Sequence, residues 1–514
     1  MPDFIRALAA SVLFATAGCA TLPASVERIE SHALADTAHT RLGRAVAPLA
    51  AANPGKSGIH ALPNPRDAFA ARVLLARAAE RSLDLQYYIW HPDTTGGLLA
   101  DALWQAAERG VRVRLLLDDA NTKGLDEVIA ALDAHPNIEV RLFNPFANRS
   151  MRLADFATEF SRVNRRMHNK AFIADNQVAI VGGRNVGDEY YGAETPVVFA
   201  DLDALAAGAV VAQVSAAFDA YWNSVSAYPA ASLIAPPAPE SASQLRAVWR
   251  DEKGPQAQRY VEALRATPLV QQLLAGELAL EWTHARVLHD DPAKVLHPPE
   301  MRELHMLPRL EEALGKPLRE LNLVSPYFVP TEAGTEAIVA IASRGVSIRI
   351  LTNSLAATDV APVHAGYSRY RETLLRGGVR LYELKPSASD SGAKEDRERH
   401  GLGASSGAAL HAKTFGVDRS RIFIGSFNFD PRSARLNTEM GILVESTALA
   451  SQLSDGLDRE LPRVAYEVVL AGGRLQWIER TGSGEVRHDS EPGVGALRRL
   501  WVDFLSILPF EWLL

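Results

Sequence analysis

Residues 83–119 read LDLQYYIWHPDTTGGLLADALWQAAERGVRVRLLLDD, and the same order of segments returns at residues 321–353 as LNLVSPYFVPTEAGTEAIVAIASRGVSIRILTN. Each copy reads as an apolar strand, a turn, an amphipathic helix and a second apolar strand. Strands made of continuous Val, Ile and Leu runs that alternate with helices are typical of a sheet covered on both faces. The sequence therefore predicts an α/β chain with two tandem domains that arose by duplication.

A second block is also present once in each half, at residues 168–185 and 411–428. In both copies a His-x-Lys triplet leads a short apolar strand, a polar turn reverses the chain, and a second strand ends at a glycine. Five residues recur at the same spacing: His168 and His411, Lys170 and Lys413, Asp175 and Asp418, Gly182 and Gly425, and Asn185 and Asn428. Coincidence is a poor explanation for five matches at fixed offsets.

The repeated block indicates a phosphate-binding site. Side chains two residues apart on a strand point to the same face, so each histidine projects together with its lysine. The hairpin returns the chain beside that pair and brings up four candidate ligand-binding residues: Gly183, Asn185, Ser426 and Asn428. If the halves meet face to face, one pocket holds two imidazoles and two ammonium groups. That set fits a phosphodiester, and it requires no metal or other cofactor.

At these residues the chain resembles the phospholipase D superfamily, whose signature is His-x-Lys-x4-Asp twice per chain. The resemblance runs from about residue 57 to the C-terminus. It implies two tandem phospholipase D-like α/β/α sandwich domains, related by a pseudo-two-fold axis, with one shared active site. The surroundings of the motifs, RRMHNKAFIADNQVAIVGGRNVGDEYY (165–191), FADLDALAAG (199–208) and SFNFDPRSARLNTEMGILVES (426–446), are similar to bacterial cardiolipin synthases, nearest to a lipoprotein-like or periplasm-facing subgroup.

This resemblance implies a phosphatidyltransferase that works through a phosphohistidine. We assign His168 as the nucleophile and His411 as the acid and base, although the reverse assignment is open. Lys170 and Lys413 complete the catalytic motifs. Asp175 and Asp418 belong to the same motifs, but their place in hairpin turns favours a structural role.

An acidic residue that follows each motif is expected to orient the imidazole. We expect Glu439 to serve His411, and Asp201, in preference to Asp203, to serve His168. The expected substrates are phosphatidylglycerol or a similar phospholipid, with phosphatidylethanolamine as another possible partner. The sequence leaves open the acceptor, any helper protein, and hydrolysis by a phospholipase D or nuclease using the same residues.

Composition is that of a folded protein with a soluble bulk. The 514 residues are 47% hydrophobic and 22% charged, and 54 basic against 61 acidic residues give a net charge of −7. A negative whole-chain charge does not favour nucleic acid as a partner. The expected partners are instead phospholipids and a membrane surface. A monomer already supplies both half-sites, so the chemistry does not need a dimer.

Both ends of the chain carry candidate membrane contacts. An apolar run between Arg6 and Cys19 resembles a bacterial lipoprotein signal, which predicts lipidation of Cys19 and a membrane-associated protein in the cell envelope, facing the periplasm. The aromatic segment Leu497 to Leu514 suits docking on the core or the lipid interface, and we favour the core. The predicted organisation is a lipoprotein-like signal peptide (1–18), an N-terminal extension (19–65), a first phospholipase D-like domain (66–250), a helical connection (251–300), a second phospholipase D-like domain (301–470) and a C-terminal segment (471–514).

Overall fold

The computed structural model describes residues 21–23, 25–193, 198–238, 240–241, 244–245, 247, 249, 255–275, 277–358, 360–386, 408–508 and 511–514. The predicted signal peptide and Cys19 lie outside the described residues. Within these ranges, no helix combines the length and apolar character needed to cross a membrane.

The strands alternate with helices through most of the described chain. In chain order the strands are β1 (Ser57–Leu62), β2 (Ser82–Tyr87), β3 (Arg112–Asp118), β4 (Ile138–Phe143), β5 (Ala171–Ala174), β6 (Val178–Gly182), β7 (Val198–Ala200), β8 (Asp203–Gly208), β9 (Ala227–Pro229), β10 (Glu281–Thr283), β11 (Ala285–His289), β12 (Glu320–Val324), β13 (Ser347–Asn353), β14 (Arg380–Leu384), β15 (Ala408–Leu410), β16 (Lys413–Val417), β17 (Arg421–Gly425), β18 (Met440–Val444), β19 (Ala465–Ala471), β20 (Arg474–Thr481) and β21 (Gly484–His488).

The helices begin with side-chain caps at several places, as for the helix that follows Asn64, whose side chain accepts from two backbone N–H groups. In chain order they are α1 (Arg41–Ala52), α2 (Pro65–Ala78), α3 (Thr94–Glu108), α4 (Asp126–Asp133), α5 (Arg152–Thr158), α6 (Phe160–Val163), α7 (Asp188–Tyr191), α8 (Ala209–Trp222), α9 (Pro255–Arg265), α10 (Pro268–Ala275), α11 (Met306–Leu314), α12 (Thr331–Ala342), α13 (Ala361–Ser368), α14 (Arg371–Arg376), α15 (Pro431–Arg435), α16 (Thr447–Val464) and α17 (Ala496–Ile507).

Two large mixed sheets confirm the predicted pair of α/β domains. The first has the strand order β10-β1-β8-β6-β5-β2-β3-β4-β9, and the second has the order β11-β18-β17-β16-β12-β13-β14-β19-β20-β21. Strands β2, β3 and β4 are parallel neighbours, as are β12, β13 and β14. In each sheet the hairpin that follows the His-x-Lys triplet pairs antiparallel with the first of these strands. The sheets are thus two copies of one arrangement, extended differently at their edges.

The ends of the predicted domains differ from the structure. Strand β1 lies in the range predicted as an extension, yet it pairs with β8 in the first sheet. The range 251–300 is not only helical, because β10 joins the first sheet and β11 joins the second. Strands β19 to β21 continue the second sheet beyond residue 470. Strands β1, β10 and β11 pair with partners that are distant in sequence, which composition does not indicate.

Asp175 and Asp418 fix the two hairpins by the same contacts. Each residue, like the one after it, has a positive φ near 52°, as a tight two-residue hairpin turn requires. The carboxylate of each accepts hydrogen bonds from three consecutive backbone N–H groups at the start of β2 or β12: Glu80, Arg81 and Ser82 for Asp175, and Leu318, Arg319 and Glu320 for Asp418. These bonds hold the turn against the sheet at the end of the hairpin opposite the histidine.

The two domains pack against each other through the hairpin side of each sheet. One buried core includes Ala179 and Val181 of the first sheet together with Ile424 and Ile442 of the second. Strands β7 and β15, one from each half, form a separate parallel pair. The parallel bridge between Met167 and Thr438 adds a further link beside His168. The ends of both hairpins therefore meet at the domain junction.

The C-terminal helix α17 docks on the second domain by one face only. Val502 and Leu505 are buried against α13 and neighbouring residues such as Leu355. The prediction of core docking is confirmed for these two side chains. It is wrong for Trp501 and Phe504, which are 54% and 52% exposed.

Candidate active site

The two His-x-Lys triplets lie at equivalent places, just before β5 and at the start of β16. Only 8% of His168 and 9% of His411 is exposed, and both lysines are buried. Lys170 Nζ donates to the His168 carbonyl oxygen at 2.5 Å, and Lys413 makes the equivalent bond to His411. Each ammonium group is thereby held beside its imidazole, as the strand alternation predicts.

Each histidine is oriented by a carboxylate from the other half of the chain. His168 Nδ1 lies 2.9 Å from Glu439 Oε2, and His411 Nδ1 lies 2.6 Å from Asp201 Oδ2. The backbone N–H groups cross in the same way, since His168 donates to the Thr438 carbonyl and His411 donates to the Ala200 carbonyl. The prediction that each acid serves the histidine of its own motif is therefore wrong, although both acids belong to the site. With Nδ1 engaged, Nε2 is the nitrogen of each ring that is left for chemistry.

Asp203, the less favoured acid of the first half, has a structural role. Its carboxylate lies 2.9 Å from Arg72 Nη2 and 3.3 Å from Arg184 Nη1, and all three side chains are buried. This ion cluster ties α2 to the start of β8, two residues after Asp201.

Ser426 and Gly183, predicted to bind substrate, lie against the two carboxylates. Ser426 Oγ donates to Glu439 Oε2 at 2.5 Å, and Ser433 Oγ donates to the other oxygen of Glu439 at 2.7 Å. Gly183 occupies the equivalent of Ser426 in the first half. A Cβ atom there would lie 2.2 Å from Asp201 Oδ1, so only glycine admits this carboxylate. The two positions therefore support their carboxylates in different ways.

The two predicted amide ligands also differ. Asn185 Oδ1 accepts from the Ile89 N–H at 3.1 Å, and its Nδ2 donates to Tyr190 Oη at 2.9 Å. Both ends of its amide are thus hydrogen-bonded within the protein, to Tyr190 and to the backbone after β2. Asn428 is buried, and its Oδ1 has no hydrogen-bond partner among the described residues. Asn428 stays a candidate for binding the ligand.

Three aromatic residues that the sequence interpretation did not select surround the imidazoles. Tyr88 meets His168 edge-on at a ring distance of 5.1 Å. Tyr190 and Phe199 each lie 5.1 Å from the ring of His411, with Phe199 stacked on it. The available signals were the position of Tyr88 directly after β2 and of Phe199 two residues before Asp201. These rings keep the imidazoles dry and restrict their rotation.

Burial and charge lower the pKa of both imidazoles and of Lys170. Burial, with help from the Lys170 and Lys413 ammonium groups, holds the pKa of His168 well below its usual value. Burial and Lys413 lower the pKa of His411 to about 4, although Asp201 opposes this shift. Because groups from both halves act on each imidazole, the two motifs form one electrostatic unit.

The pKa values of Glu439 and Asp201 shift in opposite directions. Burial raises the pKa of Glu439 to about 7, with Lys170 and the hydrogen bonds from its serines acting against it. Burial would also raise the pKa of Asp201, but His411 and Lys413 together outweigh it and hold this pKa below its usual range. Asp201 is thus the firmly ionised partner, and Glu439 is the one that titrates near neutral pH.

A pair of oriented imidazoles flanked by two ammonium groups is suited to phosphoryl chemistry. The ammonium groups neutralise the non-bridging oxygens, one imidazole attacks phosphorus, and the other supplies a proton to the leaving oxygen. Together with the duplicated α/β fold, this site defines an enzyme of the phospholipase D class.

Comparison with known proteins gives the family. The family model described as "Cardiolipin synthase, PLD-like domain" matches residues 74–222 and 310–461. The chain is 47% identical to cardiolipin synthase C of Escherichia coli over 478 residues, which are 92% of this chain and 100% of that protein. It is 26% identical to cardiolipin synthase A of Pseudomonas syringae over 77% of this chain and 66% of that protein. The chain therefore belongs to the cardiolipin synthase family of phospholipase D-like enzymes.

A solved structure shares the fold of the whole molecule. The crystal structure of phosphatidylserine synthase from Haemophilus influenzae matches 92% of this chain and 99% of its own, with a TM-score of 0.57 and 14% sequence identity. At this identity the match supports the two-domain fold alone.

Proposed function

We propose that this protein is a phosphatidyltransferase of the cardiolipin synthase type, which moves a phosphatidyl group from phosphatidylglycerol or a similar phospholipid to an alcohol acceptor. The crossed pairing of His168 with Glu439 and of His411 with Asp201 carries this proposal. It brings one imidazole from each half to the domain junction, where Lys170 and Lys413 both act on the pKa of each ring. The relatives named cardiolipin synthase support the choice of phospholipid as substrate.

In the first step His168 Nε2 attacks the phosphorus of the donor lipid. The new P–N bond forms as the P–O bond to the head-group alcohol breaks, and His411 Nε2–H protonates the departing oxygen. Lys170 and Lys413 offset the negative charge of the non-bridging oxygens during this exchange.

In the second step the acceptor alcohol replaces the first. Its oxygen attacks phosphorus, His411 takes the hydroxyl proton, and the P–N bond breaks to release His168 and the transferred lipid. When the acceptor is the glycerol head group of a second phosphatidylglycerol, the products of one cycle are cardiolipin and free glycerol. Water in the acceptor position gives phosphatidic acid instead.

The difference in pKa between Glu439 and Asp201 supports the assignment of His168 as the nucleophile. A nucleophilic imidazole has to be neutral, and the low pKa of His168 keeps it so. The acid has to hold a proton. Burial and Lys413 lower the pKa of His411 to about 4 in the free protein, so His411 has to gain this proton when substrate binds, and the firmly ionised Asp201 beside it stabilises the positive ring. A bound phosphodiester anion favours that proton further. The proposal therefore gives attack to His168 and proton transfer to His411.

The direct test is product analysis with purified full-length protein. Vesicles of phosphatidylglycerol are incubated with the protein in EDTA, and the lipids are identified by mass spectrometry. We expect cardiolipin and an equal amount of glycerol. Phosphatidic acid as the main product would show a hydrolase, and absence of both products would contradict the proposed function. Added phosphatidylethanolamine tests the second possible substrate, since its consumption requires a different head-group product.

We also propose that a lipid on Cys19 attaches the protein to a membrane of the cell envelope, facing the periplasm. The signal-like run before Cys19 supports this anchor, and a family that acts on phospholipids supports a membrane location. Cys19→Ser is expected to abolish incorporation of labelled fatty acid into the protein. Equal labelling of the variant would contradict the anchor.

A further inference from the structure

Exposed apolar side chains are concentrated in two segments of the described chain. Eighteen large apolar side chains are exposed there, and ten of them lie in these segments. The first segment is Met151 with α5 and α6. The second is C-terminal and comprises α17 and the 3-10 turn Glu511–Leu513. The ten side chains include every exposed Phe and Trp of the described residues. We call these ten the apolar rim: Met151, Leu153, Phe156, Phe160, Leu497, Leu500, Trp501, Phe504, Ile507 and Trp512.

In α17 the exposed side chains form one stripe. Leu497, Leu500, Trp501, Phe504 and Ile507 follow the spacing that places residues on one side of a helix. The buried pair, Val502 and Leu505, lies on a different side and packs on the domain. The helix is thus already docked, and its exposed stripe is a second apolar face that no described residue covers. Such a face needs an explanation, because monomeric soluble proteins rarely expose one.

Arg432 contacts the residue that follows α6 and the C-terminal residues Leu513 and Leu514. Its guanidinium donates to the carbonyl and to the side-chain oxygen of Asn164, directly after α6, at 2.9 and 2.8 Å. The same side chain donates to the Leu513 carbonyl at 3.0 Å, and its backbone N–H donates to the Leu514 carbonyl at 2.6 Å. Segments from the first domain and from the C-terminus therefore lie next to each other.

The junction at Arg432 adjoins the active site. Burial raises the pKa of the Tyr88 hydroxyl, and the Arg432 guanidinium is close enough to oppose that shift. The ring of Tyr88 in turn packs edge-on against His168. From the other side, Ser433 of the same helix as Arg432 binds Glu439, the partner of His168. The rim thus borders the nucleophile half of the site.

We propose that the apolar rim is a membrane-docking surface that enters the lipid bilayer and presents the His168 side of the active site to phospholipids. This inference rests on the proposed function, since that function sets the substrate class. Five of the ten rim residues are Trp or Phe, and these side chains are favoured at the boundary between head groups and acyl chains. A donor lipid has two acyl chains, so a site that receives its phosphate benefits from contact with the layer that holds those chains.

A second copy of the chain fits the rim less well than a lipid surface does. A copy seated across Arg432 would cover the approach to Tyr88 and His168, where the substrate has to arrive. A bilayer at the same place supplies the substrate.

Turnover of phosphatidylglycerol in vesicles, compared with turnover of dissolved short-chain phosphatidylglycerol, tests whether the rim docks on a membrane. Leu497 and Ile507 are 84% and 79% exposed, so Leu497→Asp with Ile507→Asp is expected to leave the fold intact. The control is Leu274→Asp with Leu318→Asp, which changes residues of matched exposure, 78% and 77%, outside the rim. All variants are made in full-length protein with Cys19→Ser, so that a lipid anchor does not hold them at vesicles.

We expect the rim variant to lose at least tenfold in turnover of long-chain phosphatidylglycerol vesicles. Its turnover of short-chain phosphatidylglycerol below the micelle concentration is expected to match that of the control. Equal vesicle turnover of rim and control variants would overturn the docking surface. Loss of both activities only in the rim variant, with an unchanged melting temperature, would also overturn it. Inactivity of all proteins toward both substrates would instead contradict the proposed function.

Tryptophan quenching locates the contact directly. Vesicles that contain brominated acyl chains quench only those indoles that enter the bilayer. We expect Trp501→Phe with Trp512→Phe to remove most of the quenching, while Trp282→Phe, a half-buried control on β10, leaves it unchanged. Quenching that survives in the double variant would contradict the proposal. A wild-type dimer that the rim variant dissociates would also contradict it, by assigning the face to a second copy.

Discussion

Replacing either His168 or His411 with alanine is expected to reduce turnover of phosphatidylglycerol by at least about 10³-fold, and replacing both should cost little more. The two imidazoles act in the same bond exchange, so the loss of one already disables the unit. Product formation is measured under saturating lipid for each single variant and for the double variant. Effects of the single variants that multiply in the double variant would contradict a shared site.

A donor with a nitrophenol head group separates the roles of the two histidines. Nitrophenolate leaves without a proton, so His411→Ala is expected to release one equivalent rapidly and then to stop with phosphorus on His168. His168→Ala is expected to give no rapid release. Mass spectrometry of the trapped protein identifies the modified residue. Modification of His411 in the His168→Ala protein would reverse the assignment.

Neutralising either carboxylate that contacts a histidine of the other half is expected to cause the second large loss of turnover. Asp201→Asn and Glu439→Gln are each expected to lower turnover by on the order of 10²-fold or more, because each carboxylate fixes the ring and the tautomer of one imidazole. With the nitrophenol donor, Asp201→Asn should retain rapid release, since its partner His411 is not needed there. Glu439→Gln should slow the release, since its partner His168 makes the attack. The opposite pattern would mean that each acid serves its own motif after all.

Glu439 also gives a pH dependence with a defined sign. Its pKa of about 7 means that the carboxyl is neutral below that pH and ionised above it. The ionised form stabilises the positive charge that His168 gains as it bonds to phosphorus. Turnover is therefore expected to rise as the pH rises through about 7. In Glu439→Gln this rise should disappear, and a rise that persists in the variant would exclude Glu439 as its source.

The fold was predictable from the sequence because the duplicated blocks carry local signals. Apolar runs, an amphipathic helix before Gly110 or Gly345, and a polar turn at Asp175 or Asp418 define the elements without long-range information. The edge strands were less accessible. Strands β1, β10 and β11 pair with partners that are distant in the chain, so their local sequence does not indicate a sheet.

The residue types of the site were predictable from the sequence, but the pairing of each imidazole with its carboxylate was not. The residue pairs His168 with Lys170 and His411 with Lys413 follow from strand alternation, and the structure brings them together. The partners of the imidazoles depend on how the domains cross, as at Met167 and Thr438, and spacing along the chain favours the wrong choice. A glycine such as Gly183 reads as room for a ligand, whereas here it gives room to a neighbouring carboxylate.

Because both half-sites lie in one polypeptide, each can carry different residues at equivalent positions, which is not possible in a pair of identical subunits. In such a pair, every change is made twice. Here Gly183 and Ser426 occupy equivalent places, yet one admits a short acid and the other holds a longer acid by a hydrogen bond. Each copy is free to specialise, and under the proposed mechanism one imidazole attacks phosphorus while the other moves protons, within a framework that is otherwise repeated.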